Sequence, residues 1–259
     1  MSEEKTPVYL ILGATGSGRR EILVDLITDG LGESARPAVM LPAGEAVKAE
    51  DGLLPGVSRW EWHDGFILGV RPAEATHVFF VIDGGRNPID QIEAFKLWVD
   101  AQGCEVARVL CVVNAQLAEK HAALLPWFEA CVHFSDVVLL NRREGVANKW
   151  MSDFLGHFSK RYYPCVFEMV RDVRVKNPAL VLEPQARRMS HVFDLEQDWI
   201  FTNADGDEID EQEENEDGED EVEAKPEEDP YFAKLMGGRR VVTLPDIAKF
   251  LAVPPGPNS

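Results

Sequence analysis

At 259 residues with a hydrophobic fraction of 45%, the chain is long enough for one substantial α/β domain with a real core, plus an appendage. Most of its formal charge of -19 belongs to one segment: residues 205–229 hold 16 acidic residues and one Lys, against 29 acidic and 25 basic elsewhere. That run would compete with phosphate for any basic surface, which argues against a nucleic-acid partner. The apolar run after the polar N-terminus is too short for a signal core or a membrane span, so a cytoplasmic protein with no membrane role is expected.

The first segment sets the fold class. Val8-Tyr-Leu-Ile-Leu is an apolar strand that runs into Gly13-Ala14-Thr15-Gly16-Ser17-Gly18 and then into Arg19-Arg20 and a helix with Ile22, Leu23, Leu26 and Ile27 on one stripe. The spacing Gly-x-x-x-x-Gly is that of a phosphate-cradling loop. Where that loop carries Lys and then Ser or Thr, this chain has two arginines. Short apolar runs then alternate with helical-period segments to about residue 170, the pattern of a mostly parallel sheet with helices on both faces. Strands are expected at 37–41, 78–82, 106–113, 137–140 and 165–170. A hairpin spans 59–70 and turns at His63-Asp64-Gly65. Helices are expected around 92–99, 117–128 and 147–158, and this domain, residues 1–203, closes near Phe193 to Phe201. Residues 204–229 cannot bury enough apolar surface to offset their ordering entropy and are expected to be disordered. Residues 230–259 regain apolar and basic character and read as a C-terminal element that either docks on its own domain or binds a protein partner; docking is the expectation, because closing the intervening loop costs little.

Taken in order, three landmarks resemble the CobW-type (G3E) P-loop GTPases and metallochaperones: the turn Gly13 to Gly18, the strand ending Val112-Val113-Asn114-Ala115, and Phe134-Ser-Asp-Val-Val-Leu-Leu-Asn141-Arg142-Arg143-Glu144, which is similar to the family's guanine-recognition strand. The resemblance implies a P-loop fold and GTP or GDP as ligand, with Gly13, Ala14, Thr15, Gly16, Ser17, Gly18, Arg19 and Arg20 around the phosphates and Asn141 and Glu144 at the base. Asp83, closing an apolar strand before two glycines, falls where the family holds Mg²⁺ through water; a strand-end Asp capping its own turn is the alternative. The departures point to a pseudo-GTPase. A guanidinium at position 20 cannot ligate Mg²⁺, Glu144 is one methylene longer than the usual Asp, and the family's Cys-x-Cys-Cys metal motif is absent. The expected function is weak nucleotide binding with slow or no GTP hydrolysis, in a regulatory or scaffolding role.

Two other readings stand beside it. One is a pure interaction scaffold with no nucleotide. The other is an NADP-type Rossmann loop starting Gly13-Ala-Thr-Gly16, against which stand Arg19 in place of the third glycine and the lack of a carboxylate after the second strand. No zinc site is expected: the six histidines form no His-x-x-x-His pair, and Cys104, Cys111, Cys131 and Cys165 read as buried reduced thiols.

Overall fold

The computed structural model describes residues 5–194, 199–202, 208–209, 223–226 and 228–251. The chain forms two compact units, Met1–Met189 with Leu244–Ser259, and Ser190–Thr243.

The larger unit is built on an eight-stranded sheet. In chain order its strands are β1 (Thr6–Leu12), β2 (Pro37–Pro42), β3 (Ser58–His63), β4 (Phe66–Leu68), β5 (His77–Val81), β6 (Cys104–Asn114), β7 (Val137–Asn141) and β8 (Val166–Met169), and they lie side by side as β4-β3-β2-β5-β1-β6-β7-β8. All neighbours are parallel except the edge strand β4, which folds back antiparallel on β3. The central strands read as unbroken apolar runs because both of their faces are covered: Val8, Leu10 and Leu12 are as fully buried as Val78, Phe79 and Phe80. The Asp64-Gly65 turn of the β3–β4 hairpin has both residues at positive φ, 47° and 86°, as a tight primed turn requires.

On one face, α1 (Arg19–Gly30) presents Ile22, Leu23 and Leu26 to Tyr9, Ile11, Val39 and Phe79. A short helix, α6 (Pro178–Leu182), lies against α1, and the carbonyls at its C-terminal end are tied to the sheet. Tyr9 Oη donates to the Leu182 carbonyl at 3.0 Å, and Arg108 Nη1 donates to those of Leu180 and Glu183 at 2.8 and 2.6 Å. On the other face, α2 (Pro88–Ala101) sets Phe95 and Trp98 against Phe80, with ring centroids 4.9 and 5.0 Å apart.

One element differs from expectation. The single helix expected at 117–128 is two helices, α3 (Ala115–Lys120) and α4 (Leu125–His133), with a 3-10 turn at Ala122–Leu124 between them. Pro126, in the first turn of α4, lacks an N–H and its ring would clash with the carbonyl of a preceding helical turn, so the helix restarts there. The helix expected at 147–158 is α5 (Asn148–Ser159).

In the smaller unit, β9 (Trp199–Thr202) pairs antiparallel with β10 (Glu208–Ile209) and with β11 (Glu223–Pro226). The rest of the acidic stretch expected to be disordered lies largely outside the described residues. Beyond it, the chain doubles back on itself through Leu235 N to Arg239 O and Val241 N to Ala233 O, with the Arg240 guanidinium over the Phe232 ring. The end of the described chain belongs to the larger unit: Asp246 caps a 3-10 turn, Ile247 is buried at 1% exposure, and the Phe250 ring meets His121 edge-on at 5.2 Å.

Candidate functional site

The glycine turn sits where β1 ends and α1 begins, between the C-terminal ends of β5 and β7. Its path is fixed by backbone contacts. Thr15 N donates to the Gly84 carbonyl at 3.1 Å, and a Cβ on Gly84 would stand 2.3 Å from Thr15 N, so only glycine lets the two loops approach. Gly18, at φ 94°, precedes the helix, and Asn141 Nδ2 donates to the Ser17 carbonyl at 2.8 Å. The turn and Asn141 are therefore brought together.

Arg19 and Arg20 occupy the first two helical positions and are buried, at 4% and 3% exposure. Burying two guanidinium groups side by side is costly unless they are paired and hydrogen-bonded. Glu45, just past the end of β2, supplies the pairing. Arg19 Nη2 bonds its carboxylate, Arg20 Nη2 lies 3.2 Å from Oε2, and Oε1 also accepts from Thr15 Oγ1 at 3.0 Å and from Gly84 N at 2.9 Å. Arg19 Nη1 is bound by the Ile82 carbonyl and Arg20 Nη1 by that of Ala46 at 2.9 Å. Arg20 continues to Asp51 at 2.8 Å, and Asp51 is bonded in turn by Arg59. The result is a chain of alternating charges, Arg19–Glu45–Arg20–Asp51–Arg59. Burial alone would raise the Glu45 carboxyl, but the Arg19 charge and the hydrogen bonds from Gly84, Arg19 and Thr15 outweigh it and hold the group below its ordinary value.

One carboxylate thus gathers a loop hydroxyl, a backbone N–H from the adjacent loop and both helix-start cations. Ser17 Oγ is buried beneath the turn with no hydrogen-bond partner.

The other candidates are placed apart from this network. Asp83 Oδ1 accepts from Gly85 N at 2.9 Å and Oδ2 from Arg86 Nε at 3.0 Å, so its carboxylate caps its own turn. It also lines a small cleft of about 210 Å³ with Trp60, Trp62 and Gly44. Glu144 is exposed on the loop after β7, with only its carbonyl held, by Gln116 Nε2 at 2.7 Å. Arg142 turns back to Glu21 at 3.1 Å. All four cysteines are buried and unbridged, with burial pushing the Cys165 thiol up to about 12. Among the described residues, no group of three or more His, Cys, Asp or Glu side chains is arranged to hold a metal ion, and no helix is long and apolar enough to cross a membrane.

Glu45, Asp51 and Arg59 escape a sequence reading that looks for known motif residues. Two adjacent arginines at a buried helix start carry the signal nonetheless, since they demand carboxylates from neighbouring elements. Glu45 and Asp51 are two of the three acids just beyond the next strand, with Glu50 between them.

The sheet order, the glycine turn and its helix decide the architecture. The fold is P-loop NTPase-like. No protein-family model matches this sequence, and no curated protein does. Among solved structures, the chain is similar to the zinc-bound YjiA GTPase from E. coli, at 15% identity over 77% of this chain and 72% of that one, with a TM-score of 0.43. A zinc-bound triple mutant of YjiA GTPase gives the same identity and coverage, with a TM-score of 0.42.

Proposed function

We propose that this protein is a pseudo-GTPase whose phosphate cradle is closed by its own Glu45 carboxylate, and that it binds nucleoside phosphates weakly, without turning them over. The observation that carries this reading is the convergence of Thr15 Oγ1, Gly84 N, Arg19 and Arg20 on that one carboxylate. A phosphate entering the cradle must displace Glu45, exchanging one anion for another on the same cations. The net gain is small, so affinity is weak. Mg²⁺ does not fit the residues present: the position that would offer a hydroxyl carries the Arg20 guanidinium, and the Asp83 carboxylate is held by Arg86. With neither a metal nor a free lysine beside the transferring phosphoryl group, hydrolysis loses its main electrostatic support. GTP or GDP is the favoured ligand, because Glu144 leaves an exposed carboxylate beyond β7 for the base edge. The physiological role is then regulatory or scaffolding, with a protein partner engaged through the acidic or C-terminal segment.

Calorimetric titration of GTP, GDP and inorganic phosphate into wild type and Glu45→Gln, with and without Mg²⁺, tests this. Glu45→Gln keeps the side-chain shape and removes the competing charge, so its affinity should rise at least about tenfold, or about 1.4 kcal/mol. Mg²⁺-dependent turnover by the wild type near about 1 s⁻¹ would overturn the reading. Absence of binding in both proteins would remove the nucleotide and leave a scaffold alone.

A further inference from the structure

One edge of the large sheet, four strands away from β1, is the hairpin of β3 and β4. Along β4 and just past it, Phe66, Leu68 and Val70 are 59%, 52% and 76% exposed, with Glu61 and His63 of β3 exposed beside them. The opposite face of the hairpin is the covered one. There Trp60 is buried and stacks on Phe80, against which α2 sets Phe95 and Trp98, and Trp98 Nε1 donates to the Gly69 carbonyl at 2.7 Å. Three apolar side chains at alternate positions therefore face solvent on an edge with which, among the described residues, no further strand pairs. Sheet edges are ordinarily blunted by charges or proline. The edge strand Phe66-Ile67-Leu68 carries neither.

The register shows which backbone groups are open. His63 and Phe66 flank the two-residue Asp64-Gly65 turn, so they exchange both of their hydrogen bonds. Antiparallel bonds alternate sides, which leaves the N–H and C=O of Ile67 pointing away from β3. We propose that β4 pairs antiparallel with β4 of a second copy of this chain, about a two-fold axis at Ile67, so that two sheets join into one. The occupant follows from the self-complementarity of the edge. With Ile67 opposite Ile67, each outward N–H meets the other copy's outward C=O. Phe66 then faces Leu68 of the second copy and Leu68 faces its Phe66, which is the reciprocal pattern of a closed two-fold interface. Both side chains leave water in the process. Charge agrees with this register. It carries Asp64, exposed at the hairpin tip, to the Val70-Arg71 end of the second copy, and so brings an acid to a base at both ends.

Sedimentation velocity of the full-length chain, from about 1 to about 100 μM, should show monomer giving way to dimer. Thiol crosslinking with dibromobimane reads the register, because the four native cysteines are buried. Ile67→Cys places its two thiols across the axis and should crosslink. Val70→Cys, equally on the edge, sets them six residues apart, about 20 Å, and should not. Ile67→Pro removes the outward N–H and leaves the bonds to β3 in place, since proline is tolerated on an edge strand. It should raise the dissociation constant at least about tenfold. Phe66→Lys with Leu68→Lys, which keeps the backbone donors, should do the same, so the result does not hang on one variant's folding. A chain that stays monomeric at about 100 μM overturns the proposal. So does a dimer that survives both sets of substitutions, or one in which Val70→Cys crosslinks as readily as Ile67→Cys.

Discussion

Two loops at the C-terminal ends of the strands, the glycine turn after β1 and the loop after β7, are built in opposite ways. At the glycine turn, three arginines and two carboxylates pair in a largely buried network centred on Glu45. At the loop after β7, Asn141 turns inward to the Ser17 carbonyl and Arg142 to Glu21, while Glu144 stands in solvent. A motif can depart from its usual form by being rewired or by being left open. The glycine-turn side is rewired, so its changed residues have become part of the folded structure. On the β7-loop side Glu144 is left open, so that changed residue costs the fold little.

That contrast is broken most directly at Glu45. Glu45→Ala leaves the buried Arg19 guanidinium without a carboxylate and takes one of two from Arg20, and should cost about 3–5 kcal/mol of stability in urea unfolding. A loss below about 1 kcal/mol would show that water or a rearranged Asp51 replaces it, and the glycine-turn side would then be no more committed than the β7 loop. Next in size, Asn141→Ala leaves the Ser17 carbonyl buried without its donor and should cost about 1–3 kcal/mol. Gly18→Ala should fall in the same range, because its left-handed φ of 94° disfavours a Cβ, and that Cβ would stand 2.3 Å from Asn141 Nδ2.

Acid sharpens the comparison without a large mutation. Glu45 has a folded pKa below its ordinary 4.5, so its stabilisation is complete above that value and is lost as pH falls through the depressed folded one. Wild-type stability should therefore drop more steeply than that of Glu45→Gln as pH is lowered from about 4.5, in parallel chemical denaturation series. Coincident profiles would mean that the carboxylate is not held by the arginines in solution. The smallest effect belongs to the open side: Glu144→Ala should shift stability by no more than about 0.5 kcal/mol, while erasing any preference of Glu45→Gln for GTP over ATP.

The fold was legible wherever burial dictated composition. The apolar runs of β1, β5, β6 and β7 could only be strands covered on both faces, and Asp64-Gly65 could only be a tight hairpin turn. The break between α3 and α4 was written in Pro126 but masked by apolar periodicity that continues across it. The rewiring at Arg19 and Arg20 was half legible. Two adjacent cations at a helix start announce that acids must come to meet them, yet the partners arrive from a different strand's end, a tertiary fact that local pattern does not encode. The small sheet around Trp199–Thr202 was not legible, because charge repulsion in the surrounding sequence outweighs the few apolar residues that mark it.

Because Met189 and Leu244 lie in the same compact unit, the stretch from Ser190 to Thr243 is tethered at both ends and is an insertion, not an appendage. A single backbone cut inside it would therefore leave a nicked protein whose short C-terminal fragment is still clamped by Ile247 and Phe250. Release of that fragment would be a slow, dilution-sensitive dissociation, so a protease acting there would set a timer, with the delay governed by how fast one small apolar plug leaves its seat.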